Sequence, residues 1–130
     1  MKRDDMRNRT KAFALRVIKM YSQLPKGVVA QVLGKQVLRS GTSVAANYRE
    51  ACRARSDAEL LSRLGLVEGE IDESMLWMEL LVESDTVPTA KMVAILKEAD
   101  ELIRIVVTAG KTTRQRVRGK KKSKPDPTEG

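Results

Sequence analysis

The chain has 130 residues, 25 Lys/Arg against 17 Asp/Glu, a formal net charge of +8, no histidine and a single cysteine. That length is one domain. The absence of histidine excludes His-based acid–base catalysis, Glu-x-x-His di-iron sites and Cys/His zinc sites, and one cysteine allows no internal disulfide.

One Phe, one Trp and two Tyr leave the core to Leu, Val, Ile, Met and Ala, which favours packed helices over a sheet sandwich. A first helix is predicted over 4–23. Asp4 and Asp5 suit its positive N-terminal end. Phe13, Val17, Met20/Tyr21 and Leu24 give it one apolar stripe, and Leu24-Pro25-Lys26-Gly27 ends it. A second helix is predicted over 28–54, with Val29, Leu33, Val37, Val44, Tyr48 and Ala51 as its apolar face. Periodicity continues through Gly34 and Gly41, so neither reads as a turn, although the Ser-Gly-Thr-Ser run at 40–43 is the one place where this helix could break.

Ser56-Asp-Ala-Glu59 is a capping-box pattern. The third helix follows over 57–83, with Leu60, Leu64, Val67, Ile71, Met75, Met78 and Val82 on one face. A second face holds Leu66, Glu73, Trp77 and Leu80, so this helix is expected to touch more than one neighbour. Pro88 suits the first turn of a fourth helix over 88–114, whose predicted main stripe is Val93, Leu96, Ala99, Ile103, Val106 and Gly110, widened by Ile95, Leu102 and Val107 past what a monomeric bundle needs. Four matched rods with short loops predict an all-α, antiparallel, up-down-up-down four-helix bundle. The expected organisation is a bundle with a basic N-terminal segment over 1–118 and a disordered basic tail over 119–130.

The charge lies at the two ends. Residues 1–20 hold seven Lys/Arg against two Asp, and residues 111–130 hold eight Lys/Arg against one Asp and one Glu. Basic arms of this kind meet phosphate, because each Lys or Arg displaces a condensed counterion. The candidate nucleic-acid-binding residues are Lys2, Arg3, Arg7, Arg9 and Lys11 in the first arm. In the second they are Arg114, Arg116, Arg118, Lys120, Lys121, Lys122 and Lys124. With no aromatic platform for single strands and no helix-turn-helix signature, backbone-dominated RNA or DNA binding is expected. The runner-up reading is a protein-assembly module whose wide apolar faces dock a partner, the tail serving only solubility.

The middle of the second helix carries polar residues where a core stripe would be expected. Gln36, Ser40, Ser43, Asn47 and Glu50 recur at steps of four and three, which stacks them on one face. Glu73 sits one turn before Trp77 on a largely apolar face, and a carboxylate there needs a partner. Arg39 or the Ser/Asn stripe is the expected one, making a structural network of Gln36, Arg39, Ser40, Ser43, Asn47, Glu50, Glu73 and Trp77. No nucleophile elbow or phosphate loop is present, so no enzymatic activity, metal or cofactor is expected. No apolar run of ~18 residues predicts a membrane span, the N-terminus lacks a signal-peptide pattern, and the lone Cys52 fits a reducing cytosol, so a cytoplasmic location is expected.

The run Gln36-x-x-Arg39-Ser40-x-x-Ser43-x-x-x-Asn47-x-x-Glu50, followed by Glu73-Ser74-x-x-Trp77-Met78-x-Leu80-Leu81, resembles a bacterial four-helix-bundle protein family. That family includes proteins encoded in intervening sequences of large-subunit ribosomal RNA genes. The pattern is also similar to accessory variability proteins of diversity-generating retroelements. The resemblance covers roughly Ala12 to Thr113. It implies four antiparallel helices assembled as a ring-like homopentamer without enzymatic activity. For the retroelement relatives it implies binding of nucleic acid and of a reverse transcriptase through a basic surface.

Overall fold

The structure, a computed structural model, describes residues 3–123, with side chains described as far as Lys120. Within them the chain forms four helices: α1 (Arg3–Ser22), α2 (Val28–Cys52), α3 (Asp57–Glu83) and α4 (Thr89–Ser123). Successive helices pack antiparallel, α2 against α3 most extensively, while α1 and α4 touch least. This is the predicted four-helix bundle, with a thin seam between its first and last rods. No described helix is long and apolar enough to cross a membrane.

Local chemistry sets each boundary. α1 starts with Asp4 and Asp5 in its first turn and has Lys19 in its last, each charge opposing the local end of the helix dipole. Tight turns from Gln23 N–H to Met20 O and from Leu24 N–H to Tyr21 O close it ahead of Pro25. The Ser56 hydroxyl accepts from Glu59 N–H at 3.1 Å to cap α3. The Glu59 carboxylate reaches back to the N–H of Arg55, also at 3.1 Å, so the predicted capping box closes one residue early. At the far end of α3, Asp85 takes a φ of 58°. It fills the left-handed position that ends many helices, while Thr86 and Val87 N–H both return to Leu81 O.

The buried positions of α3 are Leu64, Val67, Ile71, Ser74, Met78 and Leu81, alternating steps of three and four as a bundle seam requires. Met92, Ile95, Ala99, Leu102 and Val106 do the same on α4. The predicted stripe holds at Ala99, Val106 and Gly110, but its first turns are corrected: Met92 and Ile95 are buried, as is Leu102, while Val93 is 55% exposed. Two adjacent apolar rows run along this helix, and only its angle of docking selects between them. On α2 the buried row is Ala30, Gly34, Val37, Ser40, Gly41, Val44 and Ala51, so Val29 faces outward. The helix does not break at the Ser-Gly-Thr-Ser run.

Small residues there decide how close α1 comes. A Cβ on Gly41 would stand 2.8 Å from Val17 Cγ2 and 2.9 Å from Val17 Cγ1, and one on Gly34 would meet Leu24 and Tyr21. Both glycines accept a cost of about 1 kcal/mol in helix propensity and let α1 lie directly on the α2 backbone.

α4 corrects the expected tail boundary. Instead of ending near 114 and giving way to disorder at 119, it continues through Gly119 to Ser123. Arg, Gln and Lys are good helix formers. The Arg116 guanidinium donates to Asp57 Oδ1 at 2.7 Å and Lys120 Nζ to Asp57 Oδ2 at 3.1 Å, tying the extension to the start of α3. Residues 124–130 lie outside the described residues.

Candidate nucleic-acid interface

The polar stripe of α2 meets α3. Arg39 bonds Glu73 and lies 3.7 Å from Glu70 Oε2. Trp77 Nε1 donates to Glu73 Oε1 at 3.3 Å. One turn deeper, the Ser40 and Ser74 hydroxyls lie 2.7 Å apart, both fully buried. Ser74 Oγ donates to Glu70 O at 2.8 Å, a shorter bond than the 3.4 Å from Ser40 Oγ to Val37 O, so Ser40 turns its proton to Ser74. Ser43 donates to Arg39 O at 2.8 Å.

Of the predicted network, Arg39, Ser40, Glu73 and Trp77 therefore come together across α2 and α3. Gln36, Asn47 and Glu50 make no side-chain hydrogen bond among the described residues. Arg39 is 52% exposed and Glu73 33%, which limits the pair to about 1 kcal/mol or less. Its effect is to fix register, because the two helices must slide together for both bonds to form. Ser74 and Glu70 were outside the predicted network. Ser74 was detectable, because it interrupts the alternating three-four apolar series of α3. Ser40→Ala is expected to cost about 1 kcal/mol in denaturant unfolding: Ser74 keeps its carbonyl acceptor, so no buried group is orphaned.

The basic residues converge at one end of the bundle. Arg3 Nη1 donates to Cys52 O at 3.4 Å, placing the start of α1 beside the end of α2. The Asp57 pairs place the end of α4 beside the start of α3. Arg116, and after it Lys120, hold the Asp57 carboxyl below the usual carboxylate range. Two arms remote in sequence thus share one surface. Arg7, Lys11 and Arg49 line a small pocket of about 350 Å³ over Ala45 and Ala46.

The turn between α2 and α3 adds Arg53 and Arg55, which are exposed. Sequence reasoning missed these two and Arg49, because they fall inside a mid-chain region of negative net charge. Lys111, Arg114 and Arg118 are exposed as well and have no carboxylate partner among the described residues. Lys2 and Lys124 lie outside the described residues, as do the side chains of Lys121 and Lys122.

Arg9 departs from the predicted set. Its guanidinium bonds Glu98 through Nε at 3.2 Å and Glu101 through Nη2 at 2.8 Å, and hydrogen bonding to Glu98 leads in raising its pKa. It clasps α1 to α4 between two carboxylates, whose negative charge disfavours a phosphate there.

A cavity opens on either side of that clasp. Toward the loops at 23–27 and 84–88, one of about 470 Å³ carries Arg16, Lys19 and Lys91 at its edge. Toward the basic end, a larger one of about 740 Å³ is walled by Leu60, Leu64 and Ile105 and includes Tyr48 and Cys52. Burial, with Cys52 beside it, pushes the Tyr48 phenol up to about 12, so the phenol stays neutral at physiological pH. Among the described residues no group of three or more Cys, Asp or Glu is placed to hold a metal ion.

The family model for the 23S rRNA-intervening sequence protein matches residues 2–108. The chain belongs to that family. The bundle is also similar to the crystal structure of a protein of unknown function from the S23 ribosomal protein family of Bacteroides thetaiotaomicron. The TM-score is 0.79 at 31% sequence identity, over 85% of this chain and 99% of that one. No curated protein matches the chain in sequence. The family match stops at 108, so Lys111 to Lys120, the α4 half of the basic end, lie beyond the segment that defines membership.

Proposed function

We propose that the protein is a non-enzymatic, homo-oligomeric nucleic-acid-binding protein that grips the phosphate backbone with the basic end of its bundle. The convergence carries this reading. Arg3 and Arg7 from α1, Arg49, Arg53 and Arg55 from the end of α2, and Arg114 and Arg118 from α4 lie at one end of a rigid scaffold. Arginine suits phosphate through its planar fork of donors. The family description, an rRNA-intervening sequence protein, agrees with an RNA-related role without naming a ligand.

Assembly is supported by apolar side chains left in solvent: Val28, Val29 and Val32 on α2, and Leu66, Leu76 and Leu80 on α3. A closed ring, a homopentamer by the family resemblance, buries such faces against copies and multiplies the basic ends. Light scattering tests it directly, and a monomeric mass rejects the ring. The same apolar faces support the second reading, docking of a reverse transcriptase. A pull-down after nuclease treatment that recovers one such partner favours it.

The test of the first reading is binding to unrelated RNA and DNA duplexes at rising salt. With six or more phosphate contacts, affinity falls about a thousandfold between about 50 and 200 mM salt. Affinity that is flat across that range removes the backbone-grip model.

A further inference from the structure

The larger cavity is built unlike the rest of the basic end. The outer surface of this end is charged throughout, with Asp4, Asp5 and Glu50 exposed among its arginines, whereas this cleft joins cations to an apolar interior. Leu60, Leu64 and Ile105 wall it, Tyr48 supplies a half-buried aromatic ring, and Arg3, Arg104 and Arg116 stand around it. Its volume of about 740 Å³ lies within the range of small-ligand sites. We infer that this cleft seats an unpaired nucleotide of a bound nucleic-acid strand, base inward and phosphate at the arginines. The inference rests on the nucleic-acid reading above and names the form of strand that the site takes.

The polar groups of the cleft suit a base edge. Thr108 Oγ1 donates to Arg104 O at 2.9 Å and Thr112 Oγ1 to Thr108 O at 3.0 Å. Their hydroxyl protons are committed, which leaves oxygen lone pairs as acceptors for ring N–H or exocyclic amino groups. The neutral Tyr48 phenol can donate or accept. The arginines keep donors in reserve. Arg3 has no carboxylate partner among the described residues. Arg104 holds Asp100 through Nη2 at 3.0 Å, and Arg116 uses Nε and Nη2 on Asp57.

A free lipid anion would engage only the arginines of the cleft, whereas a strand also engages the basic end around them. A base within an intact duplex cannot enter, since its face is stacked and its edge paired. A base in a bulge or single strand can, and its neighbouring phosphates then fall on the basic end, which shares Arg3 and Arg116 with the cleft.

The test compares the full chain on three labelled RNA duplexes of equal length at one salt concentration: fully paired, with a one-nucleotide bulge, and with an abasic residue in the bulge. The expected result is about tenfold tighter binding of the bulged duplex, lost with the abasic bulge. Thr108→Trp, at an exposed position lining the cleft, fills it. This variant loses the preference and keeps its affinity for the paired duplex.

Equal affinity for bulged and paired RNA overturns the inference, as does an abasic bulge that binds as well as the intact one. A Thr108→Trp protein that retains the preference does so too. Should Thr108→Trp fail to fold, the abasic comparison on the native chain still decides. Binding to none of the three duplexes rejects the nucleic-acid reading itself, whereas equal binding to all three rejects only the cleft.

Discussion

Replacing Arg49, Arg53, Arg114 and Arg118 together with glutamine lowers affinity for a paired RNA duplex about a thousandfold at about 0.1 M salt, and flattens the salt dependence. Each phosphate contact contributes about 0.9 to the slope of log affinity against log salt. Four lost contacts therefore reduce the slope by between about 3 and 4. The four residues come from the end of α2, the turn after it and the far half of α4. All are exposed, and none has a carboxylate partner among the described residues, so the fold is left intact. Arg9→Gln is the informative contrast. Its guanidinium is committed to Glu98 and Glu101, so the slope holds while stability falls by about 1 kcal/mol or less. If the quadruple variant binds with unchanged slope, phosphate is not held at this end. If Arg9→Gln flattens the slope instead, the grip lies along the α1/α4 seam.

The contrast shows what a linear sequence hides. All four helices and most of their boundaries are legible, because alternating steps of three and four survive in any one segment. Which of two adjacent apolar rows is buried is not. Met92 and Val93 are equally well spaced, and only the docking of α4 on α3 separates them. Arg39 and Glu73 were legible as a pair because a carboxylate beside Trp77 demands a partner. Ser74 shows in the sequence only as an interruption of a core row, and its partner is known only once Ser40 is placed opposite. The helical reach of α4 to Ser123 depends on Asp57, far upstream, meeting Arg116 and Lys120. Composition alone makes that stretch look disordered. The cleft had no signature at all, since it arises from the gap between α1 and α4, a distance no local pattern encodes.

That gap follows from how α1 is held. α1 packs along α2 and barely meets α4, where the clasp is Arg9 with Glu98 and Glu101. The position of α1, and with it Arg3 at the cleft, therefore depends on its contact with α2. The α2 side of that contact is glycine at its closest points. A bundle with α4 pressed fully onto α1 would bury Tyr48 and Ile105 completely and leave nowhere for a base. The thin seam that weakens the bundle is the same feature that supplies the cleft.

The strongest structural consequence falls on Gly41. Gly41→Leu costs about 2 kcal/mol of unfolding free energy, read from the midpoint of chemical denaturation. Even the first added carbon would stand 2.8 Å and 2.9 Å from the two Val17 methyls and 3.1 Å from Val17 Cβ. Val17 is β-branched, so its rotamers are restricted, and Cβ moves only with the α1 backbone. The gain of about 1 kcal/mol from removing a helix glycine is outweighed by overpacking, which costs between about 1 and 3 kcal/mol, occasionally more. Val17→Ala alone costs about 2 kcal/mol as a core truncation, yet it opens the space the leucine needs. The double variant is therefore more stable than the sum of the two losses predicts, by about 1 kcal/mol or more. Gly69, where an added Cβ meets nothing within 4 Å, gives the opposite sign: Gly69→Ala stabilises by about 0.5 to 1 kcal/mol. Strict additivity of Gly41→Leu with Val17→Ala, or an unchanged midpoint for Gly41→Leu, removes the close approach of α1 to α2 as the element that sets the seam.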